Sequence, residues 1–163
     1  MVQELKNATK KVNLIYLHYR IISRIITTNK YLNTIKISPR DACTFCSQTT
    51  ETISHLFWEC PATQVFIQSI DRELYSKYKI HFKHNIQSWF FLQETNELQT
   101  LLITLAKAVI YSARNAEEKP QLSHMLKLLK RHAQEERYAS IINNKEDVFN
   151  SKWKTLKNII AQS

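Results

Sequence analysis

None of the 163 residues is glycine, where average usage of about 7% would place roughly eleven. The omission restricts the backbone before any motif is considered. Two-residue hairpin turns need positive φ and draw on glycine to reach it, which disfavours a β architecture built from many hairpins. The glycine-rich loops that cradle phosphate in both common nucleotide-binding motifs are excluded for the same reason. Amphipathic stretches of Lys, Leu, Glu, Gln and Ala point instead to an all-α chain.

The helical period is legible in several places. A helix is predicted from Asn13 to Thr27, with Leu14, Leu17, Ile21, Ile22, Ile25 and Ile26 on its apolar side. Thr28 or Asn29 would cap a shorter helix ending near Ile35, and Pro61 would open one reaching Lys79. Ile86 to Leu92 reads as a short helix or strand. Asn96 is a candidate N-cap for a helix through Asn115, Pro120 starts another through Ile142, and Asn144 caps a last one carrying Phe149, Trp153, Leu156 and Ile160. The apolar stripes suit a core, or equally a face that docks on a neighbouring domain. No apolar run is long enough to span a membrane; the best, Leu101 to Ile110, contains a Thr and a Lys.

All three cysteines fall within eighteen residues together with a histidine, as Cys43-x2-Cys46-x8-His55-x4-Cys60. Two short chelate pairs joined by a loop are how one segment supplies four N/S ligands to a tetrahedral, structural zinc ion. A disulfide framework would leave one thiol over, and a Cys–His nucleophile lacks an orienting third group. Residues 51–58 read as one or two helical turns capped by Thr50 or Thr52. On a continuous α-helix His55 and Cys60 would stand about 140° apart. Pro61 removes the conflict, because a residue before proline is pushed into the extended region, letting Cys60 turn back. Ile53, Leu56 and Phe57 are then expected to pack the site against the surrounding helices.

The formal charge of +9 is unevenly placed. Residues 1–40 hold eight Lys/Arg against Glu4 alone, which is +7, and the remainder of the chain is nearly balanced. A basic segment directly before a small zinc site suits nucleic-acid phosphate, with Lys10, Lys11, Arg20, Arg24 and Lys30 as candidate contacts. Tyr16, Tyr19 and Tyr31 are interleaved and could stack on unpaired bases, or belong to the core. The expected division is a basic helical arm over 1–40, a CCHC segment over 41–62 and a helical lobe over 63–163, with one cooperative domain as the alternative. His81 and His84 form a second, weaker candidate metal pair. The carboxylates, Glu135 and Glu136 among them, are expected to be solvated. No catalytic constellation emerges, and the thiols suit a reducing, intracellular setting, nucleus or cytoplasm.

With these residues in view, the chain resembles the zinc-binding segment that follows the polymerase in LINE-type (non-LTR) retrotransposon reverse transcriptases. The likeness rests on Leu17-His18-Tyr19-Arg20 through Tyr31-Leu32, on Cys43-Thr44-Phe45-Cys46, and on Glu51-Thr52-Ile53-Ser54-His55-Leu56-Phe57-Trp58-Glu59-Cys60. It continues through Ala106-Lys107, Ile110 to Arg114, Glu136 to Ala139, Phe149 and Lys152-Trp153. The resemblance implies that Cys43, Cys46, His55 and Cys60 ligate zinc. It also implies a role in holding template RNA or target DNA, beside a polymerase domain, without chemistry of its own. The paired-aspartate polymerase signature is absent, as is the P-D then D/E-x-K pattern of a following nuclease. The eight-residue middle spacing differs from the four of retroviral nucleocapsid knuckles. A protein-interaction scaffold that docks on a polymerase or another partner is the rival expectation.

Overall fold

The computed structural model describes residues 2–82 and 85–156. The order is α1 (Val2–Ala8), α2 (Val12–Ile22), α3 (Asn29–Thr34), a π turn (His55–Glu59), α4 (Pro61–Tyr78), α5 (Ile86–Phe91), α6 (Glu97–Asn115), α7 (Leu122–Ile142), α8 (Glu146–Trp153) and a 3-10 turn at Lys154–Leu156. The fold is all-α, as the glycine-free composition anticipates. Among the described residues the only β pairing is an isolated antiparallel bridge between Ala42 and Thr50. None of the described helices is long and apolar enough to cross a membrane.

Helix α6 is the axis of the molecule. Asn96 caps it through a reciprocal box, accepting from Gln99 N while the Gln99 side chain accepts from Asn96 N. From Thr100 to Lys107 every residue is buried, as are Val109, Ile110 and Ala113. A helix apolar nearly all round has to be enclosed, and α1, α2, α7 and α8 all pack on it. One cluster of buried residues runs from Leu5 to Leu156 and takes in Cys43, Leu56, Phe57 and Cys60. The stripes of α6 and α8 are therefore interior; Leu105 and Trp153 are fully buried and are not a docking face.

The helix ends depart from expectation. The first long helix stops at Ile22 instead of Thr27, because Arg24 takes a left-handed conformation (φ 57°). Two bonds, Ile25 N to Arg20 O and Arg24 N to Ile21 O, close the cap and leave Ile25 exposed. The same paired closure ends α3 at Lys36, α6 at Glu117 and α7 at Asn144. Asn144 is thus a terminator of α7; the N-cap of α8 is Lys145. Helix α1 carries too few apolar positions to show a period, and is held by burying Leu5 and Ala8.

Two polar groups also differ from the sequence reading. Glu136 is partly buried and fully partnered: it accepts from Lys152 Nζ at 2.8 Å and from Trp153 Nε1 at 2.8 Å, and pairs with His132 Nε2 at 3.1 Å. Burial pushes its carboxyl up, but these donors outweigh it and hold the group down at about 2. Lys152 also donates to Ala8 O, tying α8 to α1. Lys107 is fully buried, 3.1 Å from His18 Nδ1, with its ammonium over the rings of Trp89 and Phe90. Ile160 and His84 lie outside the described residues; His81 is exposed and its ring sits 4.5 Å from that of Tyr75.

Candidate metal centre

The site is assembled from two local structures. The first is a tight finger: Cys43 N donates to Thr49 O at 2.7 Å, Glu51 N to Asp41 O at 2.7 Å, and Ser47 N to Cys43 O at 2.9 Å. Ser47 takes a left-handed φ of 57°, which turns the chain back after the second cysteine. The second is the turn that carries His55. Thr52 caps it, its hydroxyl accepting from His55 N at 2.9 Å.

That turn is a π turn, not the regular α turn expected. Cys60 N bonds to His55 O at 2.8 Å, an i→i+5 closure that stacks residue 60 over residue 55. Cys60 itself is extended (φ −60°, ψ 129°), as its place before Pro61 requires, and Pro61 opens α4 at its first turn. Side chains of α4 satisfy carbonyls of the widened turn: Thr63 Oγ1 donates to Leu56 O at 2.8 Å and Gln64 Nε2 to Trp58 O. Leu56 and Phe57 are wholly buried beneath it and Ile53 partly so.

Together these structures bring Cys43, Cys46, His55 and Cys60 into one group, with one donor atom from each and all four within 4.8 Å of one another. Cys43 Sγ and Cys60 Sγ are 3.8 Å apart, and Cys46 Sγ and His55 Nε2 are 3.3 Å apart. For Zn–S bonds of 2.3 Å a tetrahedron has an edge of about 3.8 Å, whereas a disulfide would need about 2.0 Å. The sulfurs are also prepared as acceptors. Phe45 N points at Cys43 Sγ at 3.4 Å. Burial pushes the Cys43 thiol up to about 12, a cost that a bound cation would offset by favouring the thiolate. For Cys46, burial acts upward too, but backbone N–H groups of Gln48 and Thr49 and the His55 ring bring it down to about 7. Three thiolates and an imidazole fit a closed zinc site, and zinc bound there would cross-link the finger to the start of α4.

Behind the donors stands a polar cluster that the sequence reading did not identify. Glu51 is wholly buried and accepts from Thr44 N (2.8 Å), Thr44 Oγ1 (2.7 Å) and Asn29 N (3.0 Å). Arg114 Nε donates to Glu51 Oε1 at 3.0 Å, and another guanidinium nitrogen of Arg114 donates to Asn29 Oδ1 at 2.7 Å. Asn29 Nδ2 reaches Ala42 O at 2.7 Å. Burial raises the Glu51 carboxyl, yet the Thr44 and Asn29 donors and the Arg114 charge leave it below its ordinary value. Asn29, Thr44, Glu51 and Arg114 all lie in the stretches that carry the family resemblance, which is the one available signal.

The basic candidates divide between two places. Arg24 and Lys30 are exposed beside the π turn and line one cleft. Lys10 and Lys11 sit at the other end of α2, about 16 Å from Arg24 along the helix axis. Lys11 is paired with Glu135, and Lys10 Nζ donates to Lys6 O. Arg20 lies over the Tyr16 and Tyr111 rings at 5.8 and 5.7 Å.

Residues 5–66 match the family described as zinc-binding in reverse transcriptase, a span that contains all four donors. No curated protein and no solved structure matches the chain. Residues 5–66, ending just past the ligand group and the proline that shapes it, are a zinc-binding domain of the reverse-transcriptase type.

Proposed function

We propose that the chain is a zinc-stabilised nucleic-acid-binding module that works beside a reverse transcriptase polymerase, holding template RNA or target DNA and performing no chemistry of its own. The carrying observation is that the basic excess of residues 1–40 is left largely at the surface: among the described residues Lys10, Arg24 and Lys30 are exposed and make no ion pair with a carboxylate. Zinc has a structural part in this reading, fixing the finger and the π turn so that α2 and α3 keep their place beside them.

Lys11 is already matched by Glu135, which leaves Lys10, Arg20, Arg24 and Lys30 as phosphate partners. Four neutralised phosphates give a log–log salt slope of about −3 to −4. Fluorescence anisotropy with a structured RNA across low to moderate salt tests this, and a slope near zero would remove the proposal. The scaffold reading has one observation in its favour: Val12, Tyr16 and Tyr19 are exposed along one face of α2. Capture of a polymerase domain that survives charge reversal at Arg24 and Lys30, but is lost with Val12→Asp and Tyr19→Asp, would favour that reading.

A further inference from the structure

A cleft of about 780 Å³ opens between the end of α2, α3, the π turn and α5, within the range of about 300–1,000 Å³ typical of ligand-binding pockets. Beside four isoleucines, Ile21, Ile22, Ile53 and Ile86, its walls carry two further kinds of group. Arg24 and Lys30 supply positive charge, opposed by one acid, Glu59. Tyr31, Phe90 and Phe91 supply rings, of which Tyr31 and Phe91 are 53% and 46% exposed. Cations for a phosphodiester beside aromatic faces for bases make up the chemistry of a single-strand site. Paired bases in a helix hide the π faces that such rings would contact, so a duplex could use the cations and not the rings.

We infer that this cleft binds single-stranded nucleic acid, with Arg24 and Lys30 on the backbone and Tyr31 and Phe91 stacked on unpaired bases. The inference rests on the nucleic-acid reading above and assigns it a strand state and a place. The net positive wall argues against an acid-poor apolar peptide as occupant, since nothing in such a peptide would answer the two cations. The left-handed cap at Arg24 has a consequence here: by ending α2 early it turns the chain so that Arg24 and Lys30 face the same opening.

The test is anisotropy with a labelled single-stranded oligoadenylate and with a blunt duplex of equal length, on zinc-loaded full-length chain. Tyr31→Ala and Phe91→Ala are each expected to weaken single-strand binding about tenfold and leave duplex binding unchanged, while Tyr31→Phe retains full affinity. Arg24→Gln with Lys30→Gln is expected to reduce the single-strand salt slope by about 1.4. Both rings are substantially exposed, and zinc content with circular dichroism confirms that each variant remains folded. Binding to neither probe would overturn the nucleic-acid reading itself. Binding that the ring variants do not alter, or that is equal for both probes, would overturn the cleft assignment and leave the broader reading standing.

Discussion

Arg114 Nε lies 3.0 Å from Glu51 Oε1, which joins the last turn of α6 to the residue that closes the metal finger. The carboxylate has no exposed surface, and its other partners, Thr44 and Asn29, belong to the finger and to the start of α3. One guanidinium therefore holds three segments in register. Its position explains how a finger with almost no core of its own keeps a fixed orientation against the helices.

Removing one member of a buried pair leaves the other charge without compensation, at about 3–5 kcal/mol. Arg114→Met is accordingly expected to lower unfolding free energy by about 3 kcal/mol in urea titrations. Because Glu51 fixes the Thr44 backbone between two ligands, zinc affinity should fall about 10–100-fold as well. Competition against a chromophoric chelator reads that loss directly. A variant with unaltered zinc affinity would make the cluster a packing feature only.

Lys107 gives the chain an unusual pH dependence. Burial pulls its ammonium down to about 7 from an ordinary value of 10.5. Between those values the unfolded chain binds the proton and the folded chain does not, so stability rises with pH across that window. The slope approaches about 1.4 kcal/mol per pH unit. Urea unfolding of the wild type should gain about that much per unit from pH 7.5 to 9.5 relative to Lys107→Met, in which this contribution is gone. Parallel profiles for the two proteins would show that Lys107 stays charged inside. His18 acts in the same direction lower down: burial and the neighbouring Lys107 charge depress it to about 3.

What the sequence disclosed follows from how local each signal is. The ligand spacing, a threonine cap at Thr50 or Thr52, the extended Cys60 before Pro61 and the Asn96 N-cap are all settled within a few residues and are readable; the structure selects Thr52 and adds Gln99 to the Asn96 cap. Asn29, Glu51 and Arg114 lie 22 and 63 residues apart along the chain, and no periodicity connects them. The ends of helices were hidden for a different reason. The residue that usually marks a left-handed cap is missing, so in the sequence Ile25 and Ile26 continue the stripe of α2 past its true end at Ile22.

The same caps supply a stability prediction. Described residues at positive φ include Lys36 and Glu117, both at helix ends and exposed. A side chain in the left-handed region is disfavoured by roughly 1–2 kcal/mol, part of which glycine returns as unfolded-chain entropy. Glu117→Gly and Lys36→Gly should each stabilise the protein, by about 0.5–1 kcal/mol, and Glu117→Ala should not. Thermal unfolding with zinc present separates them. A destabilised Glu117→Gly would mean that the side chain contributes more than the backbone saves.

Zinc removal is expected to affect more than the finger. Cys43, Cys60, Leu56 and Phe57 are wholly buried and belong to the same cluster as Leu101 and Leu105 of α6. Ligation of structural zinc contributes on the order of 10 kcal/mol, comparable with the entire net stability of a domain, about 5–15 kcal/mol. Metal analysis should find one zinc per chain. Chelation, or Cys46→Ser, should then lower the helical circular dichroism signal and unfold α2, α3 and α6 in one transition, because the finger, π turn and central helix share a core. Loss of zinc with the helical signal and melting temperature intact would show instead that the helices stand without it. The π turn would then owe its shape to Pro61 and the α4 side chains alone, and the metal would serve the orientation of the cleft beside it.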